Sequence, residues 1–317
     1  MKRWVKGMRD AFFESLYQQA RTNKNIILVT ADTGAVCHDK FKKHLRSQYI
    51  NVGIAEQNMV GIAAGLAMAG KIVYIYAIIP FVTMRCYEQI RVDLCCMGLP
   101  VTIVGIGAGF DYSTLGPTHH GTEDLALMRA LPAMTIYSPA DSIMADLFVK
   151  LSLTQKGPLY IRLDRTGFPL VYKKRLNKEK INIDQGLSVL KRGKDICIIS
   201  TGRMVYSALQ IAKKLSTYSI NAEVIDLFRI KPLPKKVLWD KIKNVKYVAT
   251  IEEHFITGGI GTAIAEMIAV KKQSPLLKFF GIPNRFCRRY GTREDLYNIN
   301  RISIEDIVRA IKKWIRK

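Results

Sequence analysis

Short apolar runs at residues 26–30, 72–78, 101–105, 134–138 and 159–163 recur along the first half of the chain. Between them, apolar positions return every three or four residues. The runs predict strands buried on both faces. The stretches near 9–20, 40–46, 82–95, 123–129 and 142–153 predict helices. Strands alternating with helices imply a parallel sheet covered on both sides. The pattern breaks in a basic, polar stretch from 172 to 185. It resumes with strands at 195–200, 222–227, 247–251 and 277–281 and helices at 204–215 and 258–269. The expectation is an α/β chain of two domains, 1–172 and a smaller 186–317, joined by a linker at 173–185.

Residues 51–70, NVGIAEQNMVGIAAGLAMAG, break the ordinary pattern in a different way. They read as the end of a strand at 49–52, a turn at Gly53 and a helix from 55 to 69 stopped by Gly70. The helix is almost wholly small and apolar, yet Glu56 sits in its first turn. An unpaired carboxylate in such surroundings costs several kcal/mol, so Glu56 should meet a partner or hold its proton. Its plainer role is favourable contact with the helix dipole. Gly61, Gly65 and Ala69 share one face, which lets another helix approach closely, within the chain or across a subunit boundary.

With 317 residues and 49% hydrophobic content, the chain can bury two cores. The net charge of +23 raises a nucleic-acid reading. Its positive residues are scattered in short pairs, however, with no arginine stripe interleaved with aromatics and no zinc spacing. A solvated basic surface, with some attraction for phosphorylated substrates, is the expectation. The six cysteines, Cys37, Cys86, Cys95, Cys96, Cys197 and Cys287, form no C-x-x-C pair and suit reduced thiols in a cytoplasmic protein. No apolar leader opens the chain, and 59–70 is too short to span a bilayer, so neither membrane nor nucleic acid is expected as a partner.

The Gly53-Ile-Ala-Glu-Gln segment, its glycine- and alanine-rich helix, the strand at 72–78 and Pro80-Phe81 together resemble the pyrimidine-binding domain of transketolase and of 1-deoxyxylulose-5-phosphate synthase. Ile251-Glu-Glu-His with Gly258-Gly-Ile-Gly-Thr-Ala resembles the C-terminal domain of the same family, although those glycines equally suit close packing. The resemblance implies thiamine diphosphate as cofactor, with Glu56 bonding N1′ of its pyrimidine and with Phe81, Tyr87, Met84 and Ile54 around the ring. Asp32 matches a carboxylate near the cofactor at the subunit contact, and it also suits a turn cap. Leu115-Gly-Pro-Thr-His119-His120 resembles the family's G-P-T-H-Q loop, which gives His119 a part in proton transfer and His120 none. Arg9 and Arg165 match positions that bind the terminal phosphate of the substrate. Gly107 and Leu115 stand where transketolase reads sugar hydroxyls with a histidine and an aspartate, and a phosphate-reading serine is replaced near Val36. These departures, with Tyr112, imply a more apolar pocket and substrates other than the usual pentose phosphates.

The resemblance covers nearly the whole chain but only the second half of a full-length transketolase. The family's diphosphate half, with its G-D-G and later Asn for Mg²⁺, has no counterpart in the 317 residues. A split transferase follows, in which an N-terminal transketolase-like subunit supplies the diphosphate and Mg²⁺ site in an α2β2 assembly. That enzyme would move a two-carbon ketol or acyl unit between sugar or sugar-phosphate substrates. A β-type subunit of a 2-oxoacid dehydrogenase shares the two-domain plan, and a non-catalytic basic scaffold is the reading from another class.

Overall fold

The computed structural model describes residues 7–172 and 181–316; most of the expected linker, 173–180, lies outside the described residues. Strands β1 (Ile26–Thr30), β2 (Tyr49–Asn51), β3 (Ile72–Ile78), β4 (Val101–Ile106), β5 (Thr135–Tyr137) and β6 (Leu159–Leu163) build the first sheet. A strand from the second half of the chain, β10 (Arg229–Lys231), closes one edge. The order is β10-β5-β6-β4-β3-β1-β2, parallel throughout except where β10 meets β5. Every residue of β1, β4 and β6 is buried, as continuous apolar runs in a doubly covered parallel sheet require.

Helices α1 (Met8–Thr22) and α6 (Ser142–Ser152) cover one face, burying Phe12, Phe13, Leu16 and Phe148. Asp141 caps α6 by accepting from the backbone N–H groups of Ile143 and Met144, and its other oxygen accepts from Val171 and Tyr172 where the chain leaves the domain. On the opposite face lie α3 (Glu56–Met68), packed through Met59, Val60, Ala63 and Ala64, and a helical run over 81–96. That run is expected as one regular helix, but its turns widen to π-type at Phe81–Arg85 and Ile90–Cys96. Gly61 and Gly65 face open space. No helix among the described residues packs on them, so any close helix pairing there involves another chain.

The second sheet contains β7 (Ser188–Lys191), β8 (Ile196–Ser200), β9 (Ala222–Asp226), β11 (Tyr247–Phe255) and β12 (Leu276–Ile282), ordered β12-β11-β8-β9-β7 with only β7 antiparallel. Around it lie α7 (Met204–Ser216), α8 (Lys235–Ile242), α9 (Ile260–Ala269), α10 (Arg293–Ile299) and α11 (Ile304–Ile315). The glycine run before α9 works in packing. The Glu252 carboxylate stands where a Cβ on Gly259 would fall, and it accepts from the N–H groups of Ile260 at 2.7 Å and Gly261 at 3.0 Å. Cys86, Cys95, Cys197 and Cys287 are buried free thiols, and Cys96 is an exposed one. No helix among the described residues is long and apolar enough to cross a membrane.

Asp226, fully buried at the end of β9, accepts from the Tyr172 hydroxyl at 2.7 Å through Oδ2, while Oδ1 has no partner. Burial pushes its carboxyl up to about 8. The folded chain therefore holds this proton more tightly than the unfolded chain, whose aspartate titrates near about 4. Its stabilising contribution is complete below that lower value and is lost as pH rises through about 8. Asp226→Asn keeps an acceptor for Tyr172 and should flatten this loss. Urea midpoints of both proteins at about pH 6 and about pH 9 provide the check; an equal fall in the two would assign the loss elsewhere.

Candidate active site

The carboxyl ends of β1, β3, β4 and β6 surround an open pocket of about 480 Å³, the usual place for a ligand in an open parallel sheet. Glu56 forms its floor. After β2, Gly53 takes a left-handed φ of +74° and the Ala55 N–H bonds back to the Gly53 carbonyl at 2.8 Å. This turn starts α3 at Glu56, so the carboxylate lies at the positive end of the helix. Its side chain is only 2% exposed, and Oε2 is paired with Arg85 Nη1 at 2.8 Å. The Arg85 guanidinium also lies over the Phe81 ring, 4.3 Å from its centre. The partner that Glu56 demands is thus Arg85, which the sequence pattern does not single out. Arg85 closes the widened turn over Phe81–Arg85, four residues after Phe81.

Beside the pocket, the His119 ring meets Phe81 edge-on at 5.2 Å and lies 6.1 Å from Tyr112. The Thr118 hydroxyl is 2.9 Å from His119 Nδ1. Burial lowers the His119 pKa from its ordinary value, so the imidazole is neutral at neutral pH. His120 is buried against Phe110, with ring centres 5.0 Å apart, and burial lowers its pKa to about 4.

Two cationic side chains line the far side. Arg9, early in α1, donates its backbone N–H to the Asp164 carbonyl at 3.3 Å, and its guanidinium pairs with Asp10 at 2.8 Å. Arg165 follows β6, stacks over Tyr112 at 4.7 Å and donates its backbone N–H to Asp111 Oδ2 at 2.6 Å. Asp32 sits on the rim with φ +52°. Its side chain accepts from Asn51 Nδ2 at 3.1 Å, and its N–H donates to Asn51 Oδ1 at 2.9 Å.

The pocket therefore gathers Arg9, Asp32, Ile54, Glu56, Phe81 and Arg165, with Ile54 on the rim at 78% exposure. Met84, Tyr87 and His119 do not line it; His119 stands behind Phe81 and Tyr112, which do. Met84 is partly exposed on the surface, and the Tyr87 ring packs on the core with its hydroxyl donating to the Leu127 carbonyl at 3.0 Å. At Gly107, φ is +96° and the Tyr112 ring lies 2.5 Å from where a Cβ would stand. Tyr112 fills the space that a side chain at 107 would need. No cluster of three or more His, Cys, Asp or Glu residues suited to a metal ion occurs among the described residues.

Comparison with known proteins accounts for this arrangement. The transketolase pyrimidine-binding domain matches residues 6–169, and the transketolase C-terminal domain matches residues 186–305. The chain is 32% identical to a subunit of the apulose-4-phosphate transketolase of Phocaeicola vulgatus, over 98% of this chain and 97% of that one. It is 33% identical to a subunit of the 6-deoxy-6-sulfo-D-fructose transketolase of a Clostridium species, over 96% of this chain and 92% of that one. Among solved structures, a split gene transketolase described as an inactive β4 tetramer superposes with a TM-score of 0.86 at 33% identity, covering 98% of this chain and 99% of that one. Two matched domains, relatives aligned from end to end and a pocket built on Glu56 together establish that the chain belongs to the transketolase family.

Proposed function

We propose that this chain is the C-terminal subunit of a split transketolase-like enzyme that transfers a two-carbon ketol unit between anionic sugar substrates. The observation that carries the reading is the buried Glu56 carboxylate at the floor of a pocket with aromatic Phe81 on one side and Arg9 and Arg165 on the other. Family membership implies dependence on thiamine diphosphate, and the residues present fit the pyrimidine end of that cofactor. Phe81, Ile78 and Ile54 offer apolar surface to a flat ring, and Glu56 offers a carboxylate at its edge. The two domains matched here are the pyrimidine-binding and the C-terminal ones, and this reading places the diphosphate end outside them. Mg²⁺ and the diphosphate then belong to a partner subunit, and an α2β2 assembly in the cytoplasm is the arrangement proposed.

When bound, thiamine diphosphate supplies the carbon nucleophile that carries the two-carbon unit. This chain's residues act around it. Glu56 would hold the pyrimidine edge through Oε1, which the Arg85 pair does not use, and would offer it an acid–base group there. Arg85 holds the carboxylate in place through Oε2. Neutral His119, with Thr118 at Nδ1, has Nε2 to take and return a hydroxyl proton of the substrate. Arg9 and Arg165 fix the anionic end. The two relatives are named for an apulose phosphate and a sulfonated fructose, both carrying a terminal anion, which supports this placement.

The exposed glycine face of α3 supports a partner interface, since Gly61 and Gly65 leave open space for a second helix. The solved relative described as an inactive β4 tetramer supports the need for a different partner chain. Gly65→Leu should leave the isolated chain folded but block assembly, read by light scattering of the two subunits mixed. Unchanged assembly would remove this face from the interface.

The deciding experiment co-expresses this chain with a diphosphate-domain transketolase subunit and measures thiamine diphosphate and Mg²⁺ bound to each chain alone and to the mixture. Uptake by the mixture alone is expected; uptake under no condition would end the proposal. In the loaded mixture, Glu56→Gln should preserve assembly while turnover falls on the order of 10²- to 10⁴-fold, because the proton-sharing group is lost. Full turnover in the variant would remove Glu56 from its role.

A further inference from the structure

All side chains that line the pocket come from the first domain, yet the two walls bearing Arg165 and Tyr112 are not held by that domain alone. Arg293 opens α10 in the second domain, and its side chain is only 8% exposed at the seam between the domains. Its Nη1 donates to Asp164 at 2.7 Å and lies 3.5 Å from Asp111. Nε and Nη2 donate to the two oxygens of Glu253 at 2.8 Å and 2.5 Å, and Nη2 also donates to the Ala108 carbonyl at 3.0 Å. One guanidinium therefore touches both walls. Asp164 directly precedes Arg165, and Asp111 directly precedes Tyr112.

Asp111 extends the link. Its Oδ2 accepts from the Arg165 N–H at 2.6 Å and its Oδ1 from the Thr166 hydroxyl at 3.2 Å. Glu253 reinforces it from the second domain by accepting the Phe110 N–H at 2.7 Å. Further along the same loop, the Tyr290 ring lies 2.8 Å from where a Cβ on Gly116 would stand, three residues before His119. We infer that Arg293 is a positioning residue of the pocket, pinning the loop that carries Tyr112 and His119 against the strand end that carries Arg165. This deepens the functional reading above and rests on it for the roles of those residues.

The geometry requires arginine in particular. Its planar fork reaches Glu253, Asp164 and the Ala108 carbonyl at once, whereas a lysine ammonium keeps the charge but presents its donors from a single point. Arg293→Met would leave three buried carboxylates uncompensated and endanger folding, so the test uses Arg293→Lys and Asp111→Asn in the full chain. The chain has five histidines, which makes ¹³C labelling at Cε1 a tractable probe. His119 faces Phe81, Tyr112 and Thr118 and titrates below its ordinary value because it is partly buried.

Freeing the loop should expose His119 to water and raise its titration midpoint towards 6.5 in both variants. Charge alone predicts something different. Arg293→Lys changes no charge, and the loss of a carboxylate in Asp111→Asn would lower the midpoint, so a rise in both variants reports position. A lowered melting temperature with the His119 midpoint unmoved in both would overturn the inference and leave Arg293 a structural residue only. The titration needs neither cofactor nor partner chain, so its outcome stands apart from that of the cofactor-uptake experiment.

Discussion

Burying charge at the seam between the two sheets is the constraint on which the site depends. Two guanidiniums, Arg162 and Arg293, lie there among Asp111, Asp124, Asp164 and Glu253, all nearly inaccessible to water. An isolated buried ion of this kind is costly, so each must find opposite charge and saturated hydrogen bonds. Arg162 meets Asp124 through two donors at 2.8 Å and 3.2 Å and donates also to the carbonyls of Gly121 and Glu253, while the Tyr160 hydroxyl completes the Asp124 site. Arg293 serves the remaining acids. The acids outnumber the arginines, and burial, opposed by Arg293 and reinforced by Asp111 and Glu253, pushes Asp164 up to about 6. Because these groups sit at the ends of β4 and β6 and on β11, satisfying them also sets the loops that wall the pocket.

The parts of the fold legible in the sequence are those where burial imposes a repeating pattern. Strands such as 26–30 and 159–163 are buried on both faces, so they must be continuously apolar. β10 is not legible because its three residues, Arg229–Lys231, lie at an edge and face water in part. Helix α10 escapes for a different reason. Thr292 to Asp295 forms a capping box that opens α10, a polar signal that a reading led by apolar runs passes over, whereas α11 does carry a legible apolar repeat in Ile304, Ile307, Val308 and Ile311.

In the site, Glu56 stands out because a lone acid in an apolar helix demands an explanation. Its partner Arg85 does not, since the pair joins residues 29 apart with no periodic signature. The Arg293 contacts are still less readable, spanning 129 residues to Asp164. Tyr87 illustrates a third limit. Its expected place beside the cofactor rests on the resemblance alone, and in the structure its ring packs on the core with the hydroxyl donating to the Leu127 carbonyl.

The pocket's shape argues for an unusual substrate more directly than its charge does. Arg9, Arg85 and Arg165 would attract any anion, as would the basic surface that the +23 charge produces, so electrostatics favours a class of compound without choosing within it. Gly107 and Tyr112 choose more narrowly. The tyrosine ring occupies the volume above residue 107 and stacks beneath the Arg165 guanidinium, so one side chain both excludes a hydroxyl-reading group at 107 and supports the anion site. On the proposed function, that wall offers a substrate an aromatic ring in place of a hydroxyl-reading side chain at 107. Because Tyr112 adjoins Asp111 in sequence, the seam that neutralises Arg293 also fixes the ring that fills the volume above residue 107.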